Sequence, residues 1–177
     1  MFKSFYPYEH VDSVHVIDYR KLYNMGYKGI IFDIDNTLVH HGENSNPAVD
    51  QLFKDIHQIG LKTILLSNNC DERIESFLKN IDVPFISNAN KPKTDNYYKA
   101  VRMLDINVTE AVMVGDQLFT DIYGANSCRM PNILVNYMRY DDEEKIGIRR
   151  HVEKSLLSLY KKNKSYQNRL GDIQLKG

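Results

Sequence analysis

The chain of 177 residues is predicted to be an α/β domain built on a central, mostly parallel sheet flanked by helices. Three observations predict this. Short apolar runs alternate with helical patterns along residues 28–136. The spacing between runs suits right-handed β-α-β crossovers. Chemistry-bearing residues follow nearly every run, on the edge where such sheets bind ligands.

Residues 28–32 read as the first core strand. Asn46 caps a helix that opens on Pro47, carries Val49, Leu52, Phe53, Ile56 and Ile59 as its apolar stripe, and stops at Gly60. Residues 62–66 are the second strand and 71–79 a short helix. Residues 83–86 form a third, shorter strand, set near a sheet edge by Pro84. Thr94 caps a helix bearing Tyr97, Val101 and Leu104. Residues 111–114 and 133–135 are the last two strands, with a helix over 120–126 between them. One domain over 1–177 is expected, with its core at about 28–136, an aromatic N-terminal flank and a basic C-terminal helix.

Composition excludes several classes. Net formal charge is zero, so no nucleic-acid partner is expected. No run of apolar residues is long enough for a membrane span, and residues 1–8 lack a signal-peptide core. Cys70 and Cys128 form no metal-ligating motif, fit a reducing cytoplasm, and read as small buried or half-buried packing residues.

Behind Gly29-Ile30-Ile31-Phe32 comes Asp33-Ile34-Asp35-Asn36-Thr37-Leu38. Two carboxylates at the mouth of a sheet are costly unless a cation, donors or chemistry compensate them. They suit a divalent ion such as Mg2+, a covalent nucleophile and a general acid/base. An ordinary strand-to-turn junction also explains this hexapeptide alone. The later strands argue against that: Ser67, Asn68 and Asn69 follow the second, Lys91 the third, and Gly115, Asp116 and Asp121 the fourth.

These residues resemble the haloacid dehalogenase-like (HAD) phosphohydrolases. Asp33-Ile34-Asp35-Asn36-Thr37 is similar to motif one, Leu65-Leu66-Ser67-Asn68 to motif two, Lys91-Pro92 to motif three, and Gly115-Asp116 with Asp121 to motif four. The resemblance implies a Rossmann-like HAD fold and a phosphatase. Asp33 would be the nucleophile that becomes an aspartyl-phosphate, and Asp35 the acid/base. Ser67 and Asn68 would contact the phosphoryl group, and Lys91 would neutralise it. Mg2+ would be held by Asp33, the Asp35 carbonyl and Asp116, with Asp121 supporting directly or through water.

Neither 39–63 nor 70–90 is long enough to house a cap domain, so the site is expected to be open. His40 and His41 fall on the intervening flap. They read as exposed residues without a catalytic part, substrate contact being the alternative. The capless layout and the wording of motifs one and four resemble subfamily IIIA, the YqeG-like group, which is similar to mitochondrial phosphatidylglycerophosphate phosphatases. That resemblance implies the phospholipid headgroup of phosphatidylglycerophosphate as substrate; the protein is expected to be cytoplasmic, with peripheral contact at the inner face of the membrane left open. The flanks bear on it. Phe2, Phe5, Tyr6, Tyr8, Tyr19, Tyr23 and Tyr27 suit a membrane interface. Lys145, Arg149, Arg150, Lys154, Lys161, Lys162, Lys164 and Arg169 stand against Glu153 alone in a pattern that suits an anionic lipid surface. The alternative is a terminal helix that packs its apolar stripe, with Val152, Leu156, Leu159 and Tyr160 near helical spacing, on the core.

Overall fold

A computed structural model describes residues 2–138 and 148–175. Six strands form one parallel sheet in the order β1-β6-β5-β2-β3-β4. They are β1 (Glu9–Val11), β2 (Gly29–Phe32), β3 (Lys62–Leu66), β4 (Phe85–Ile86), β5 (Ala111–Gly115) and β6 (Asn132–Val135). The helices are α1 (Tyr19–Asn24), α2 (Pro47–Ile59), α3 (Asp71–Phe77), α4 (Asp95–Met103), α5 (Tyr123–Ser127) and α6 (Ile148–Lys162). β2, at the centre, is buried along its whole length, as expected of a strand covered on both faces. Its neighbours are in register: Phe32 lies opposite Leu65 and Val114, so the residues that follow these strands emerge together.

α2 forms as its sequence dictates. The Asn46 side chain accepts from the Val49 N–H at 3.0 Å, and Gly60 takes the left-handed conformation (φ 102°) that ends the helix. Val49, Leu52, Phe53 and Ile56 face the core. Each such side chain contributes about 1.5–3 kcal/mol when fully buried.

Other elements depart from expectation. β4 begins at Phe85, after Pro84, and lies at the sheet edge. α3 ends at Phe77 and tightens into a 3-10 turn, Leu78–Asn80. Thr94 precedes α4 in helical conformation and its side chain caps nothing. The segment before α5 opens as a π turn, Leu118–Ile122. Cys128 is buried, but Cys70 is exposed at the start of α3 rather than packed.

The N-terminal flank is not a free aromatic surface. β1 extends the sheet by pairing with β6, which places sheet residues outside 28–136. Tyr6 and Tyr19 are buried, the Tyr19 hydroxyl donates to the Val14 carbonyl at 2.9 Å, and Phe5 stacks on Tyr123. Tyr8 lies under the Arg169 guanidinium at 3.7 Å. Phe2 and Tyr23 alone of the seven aromatics named above remain exposed. α6 likewise buries Leu156 and Tyr160. Lys145 of the basic segment lies outside the described residues.

Glu9 ties the two ends of the chain together. Its buried carboxylate accepts from the Leu170 N–H at 2.6 Å. Burial raises its pKa from 4.5 to about 7, against the opposing Leu170 hydrogen bond and the charge of Arg169. A carboxyl whose folded pKa is raised gives stability that is complete below the unfolded pKa and lost as pH rises through the folded one. The loss therefore falls between about pH 4.5 and 7 and amounts to roughly 3 kcal/mol at most. Glu9→Gln is expected to flatten the fall in melting temperature between pH 5.5 and pH 8. An unchanged fall would remove Glu9 as its source.

Candidate active site

The strand ends converge on one cavity of about 140 Å3, lined by Asp33, Asp35, Asn36, His41, Ser67, Asn68, Asn69, Lys91, Gln117 and Thr120. Asp33, just past β2, is fixed by its own N–H, which donates to the Val114 carbonyl at 3.0 Å. Asn36, in left-handed conformation (φ 64°), turns the loop so that Thr37 faces back. The Thr37 hydroxyl lies 3.2 Å from Asp33 Oδ2 and 3.4 Å from Asp116 Oδ1.

Lys91 is buried, and its Nζ donates to Asp33 Oδ1 at 2.6 Å and to Asp121 Oδ1 at 2.7 Å. Burial opposes the lysine charge, but Asp121 and Asp33 outweigh it and push the pKa up, so Lys91 is a fixed cation. Burial raises Asp33 to about 6, with the Lys91 charge opposing that rise. Burial also raises Asp116 to about 8, reinforced by Asp33 and Asp121 and opposed by Arg150.

One oxygen each from Asp33, Asp116 and Asp121 lies within 4.8 Å of the others, and all three residues are buried. An all-oxygen set of three buried carboxylates fits a hard divalent cation. The Asp35 carboxyl lies outside this cluster. It receives Arg73 Nη2 at 2.7 Å, the Gly42 N–H at 2.8 Å and a short hydrogen bond from Asn69 Nδ2.

Gly115 allows this geometry. A Cβ there would stand 2.4 Å from the Asp121 carboxyl carbon. The π turn brings the N–H groups of Asp121 and Ile122 to the Gln117 carbonyl and aims Asp121 at Lys91. The Tyr97 hydroxyl secures the same turn by donating to the Thr120 carbonyl at 2.9 Å.

The remaining expected residues take more varied places. Ser67 is buried at the cavity wall and its hydroxyl accepts from the Asn69 N–H at 3.2 Å. Asn68 Oδ1 accepts from the Lys91 N–H at 2.8 Å, so this side chain holds the lysine loop as well as lining the cavity. His41 is exposed and its Nδ1 stands 3.9 Å from Asp35 Oδ1, whereas His40 is half-buried.

Sequence reasoning placed Asn69 on this edge without its bond to Asp35, and missed Arg73 and the pair Arg150–Glu153 as members of this neighbourhood. Arg73 also donates to the Glu43 carbonyl at 2.6 Å, joining α3 to the flap beside Asp35. Nothing in its local sequence marks it. Arg150 donates through Nη1 to the Asp116 carbonyl at 2.9 Å and pairs through Nη2 with Asp116 Oδ2. Its signal was Glu153, the lone acid in a basic stretch, three residues away.

Among the described residues, buried carboxylates surround a lysine at the mouth of a parallel sheet with no large cap over them, the arrangement expected of a HAD-type hydrolase. The profile of the haloacid dehalogenase-like hydrolases matches residues 42–129. The chain is 35% identical over 161 residues to the protein called "Probable phosphatase YqeG" from Bacillus subtilis, covering 90% of this chain and 94% of that one. A glyceraldehyde 3-phosphate phosphatase from Pyrococcus furiosus is 30% identical over 67 residues, 38% of this chain and 28% of that protein. A crystal structure of an uncharacterized protein from Listeria monocytogenes shares the fold, with a TM-score of 0.54 and 21% identity over 77% of this chain and 99% of that one. The chain belongs to the haloacid dehalogenase-like hydrolases, in the YqeG-like group, and is a phosphatase.

Proposed function

We propose that this protein is a Mg2+-dependent phosphomonoesterase that works through an aspartyl-phosphate on Asp33 and that its substrate is phosphatidylglycerophosphate. The reading takes residues 1–177 as one functional domain. The observation that carries the phosphatase chemistry is Lys91 Nζ held between Asp33 and Asp121, with Asp35 two residues beyond the nucleophile.

In this reading an Asp33 oxygen attacks phosphorus, the bond to the substrate alcohol breaks, and Asp35 gives the leaving oxygen its proton. Asp35 then takes a proton from water. The water oxygen attacks phosphorus, the bond to Asp33 breaks, and inorganic phosphate leaves. Lys91 and the Ser67 hydroxyl face the charge on the phosphoryl oxygens. Asp33, Asp116, Asp121 and the Asp35 carbonyl would hold Mg2+, which supplies positive charge where anionic carboxylate meets anionic phosphate. EDTA is expected to abolish turnover and Mg2+ to restore it, with Ca2+ a poor substitute because of its looser, larger coordination shell. Full activity in metal-free protein would refute the metal site.

Two features support a lipid substrate. Among the described residues the site carries only a short flap, which leaves room for a bulky phosphoester. α6, which reaches the site through Arg150, also exposes Ile148 (86%), Val152 (45%) and Leu159 (43%) along one side, with Lys154, Lys161 and Lys162 exposed on the same helix. No helix among the described residues is long and apolar enough to cross a membrane, so contact would be peripheral. Arg150 is not part of that surface, since it is turned inward onto Asp116.

Basic side chains at an anionic surface contribute about 1 kcal/mol each. Reversing Lys154, Lys161 and Lys162 to Glu is expected to weaken binding to anionic vesicles at low salt by at least ~100-fold. Turnover of a soluble aryl phosphate should be spared. Assays of phosphatidylglycerophosphate beside sugar, nucleotide and triose phosphates test the substrate. Fast hydrolysis of a soluble ester with none of the lipid would overturn the lipid assignment and keep the phosphatase.

A further inference from the structure

The C-terminal helix does more than cover the sheet. α6 lies beyond the 42–129 family match, yet two of its side chains grip the loop that carries Asp116. Arg150 Nη1 donates to the Asp116 carbonyl at 2.9 Å, and Nη2 pairs with Asp116 Oδ2. The same Nη1 donates to Glu153 Oε2 at 2.9 Å. Glu153, itself buried, accepts the Leu118 N–H on Oε1 at 3.0 Å. The guanidinium is also covered by the Tyr137 ring at 4.5 Å. Two residues one turn apart on one helix thus hold both ends of the Asp116–Leu118 loop.

The geometry points to Arg150 and Glu153 as positioning residues that orient the Asp116 carboxylate for a divalent cation, an inference resting on the reading of Asp116 as a metal ligand. With Oδ2 held by Arg150, Oδ1 is the oxygen turned to Thr37 and Asp33, the inner side of the carboxylate cluster. A guanidinium alone so near the site would repel a cation. Glu153 offsets that charge, so the pair orients Asp116 with no net positive charge added. A two-pronged guanidinium fixes both carbonyl and carboxylate, which a lysine ammonium does not reproduce. Hydrogen-bond partners of metal ligands typically matter by 10–100-fold in affinity.

The test is Mg2+ binding to the full-length protein without substrate, by calorimetry and by competition against Mn2+ observed by paramagnetic resonance. Melting temperatures in EDTA and in saturating Mg2+ accompany each variant. Arg150→Ala is expected to bind Mg2+ about 10–100-fold more weakly. Arg150→Lys should recover only part of that affinity, and KM for an aryl phosphate at saturating Mg2+ should move less than threefold. Glu153→Gln, which leaves Arg150 uncompensated, should also weaken binding, and with Arg150→Lys it carries the test if Arg150→Ala does not fold. Wild-type affinity in Arg150→Ala, or full recovery with Arg150→Lys, would overturn the inference while leaving the phosphatase site standing. No Mg2+ binding or metal dependence in the wild-type protein would overturn both.

Discussion

Asp33→Asn is expected to lower turnover of any phosphomonoester by about 10^3-fold or more, with the fold intact. The amide keeps the shape of the carboxyl group but is a poor nucleophile toward phosphorus. It also removes one anion from a crowded set, since Asp33 lies among Asp116, Asp121 and Lys91. Removing a buried carboxyl whose pKa burial raises to about 6 relieves a desolvation cost. The variant is therefore expected to melt no lower than wild type in EDTA. Loss of activity with retained stability is the signature of a chemical role; activity within tenfold of wild type would remove Asp33 as nucleophile.

Lys91→Met is expected to fail in both respects. The ammonium is buried between two carboxylates at 2.6 and 2.7 Å, and the methionine side chain is of similar length without the charge. Breaking a buried ion pair by removing one partner leaves the other uncompensated and costs about 3–5 kcal/mol. Activity is expected to fall by a further ~10^2–10^3-fold, the usual cost of one preorganised donor to the reacting oxygens. Denaturant titration in EDTA and steady-state kinetics in Mg2+ separate the two effects. Unchanged stability would mean that Lys91 is not the counter-ion of Asp33 and Asp121 in solution.

The edge that lines the candidate site is legible in the sequence because motif and strand end coincide. Asp33, Ser67 and Asp116 each stand within a residue of a strand predicted from its apolar run. α2 was legible from its cap, its stripe and its terminal glycine. β1 was not, because Glu9-His10-Val11 has no apolar alternation, and its place depends on β6 and on the distant Leu170 N–H. α1 was missed because Tyr19 and Leu22 are its only buried residues among polar neighbours. The N-terminal tyrosines looked like interface residues because density of aromatics does not say which way they face; Tyr6 and Tyr19 face inward. In the sequence Arg150 is one base among many. Its partner Asp116 lies 34 residues away, a pairing that no local pattern encodes. Arg73 on α3 was hidden in the same way, since it meets Asp35 only across the folded cavity.

The most direct test is to look for phosphate on Asp33 itself. The protein is acid-quenched during turnover of a radiolabelled phosphoester, treated with borohydride and analysed by peptide mass spectrometry. The account predicts label on the protein that is stable to acid and released by hydroxylamine. It also predicts borohydride conversion confined to the peptide containing Asp33, and neither signal in Asp33→Asn. Sustained turnover with no covalent label, or with label on another residue, would contradict it.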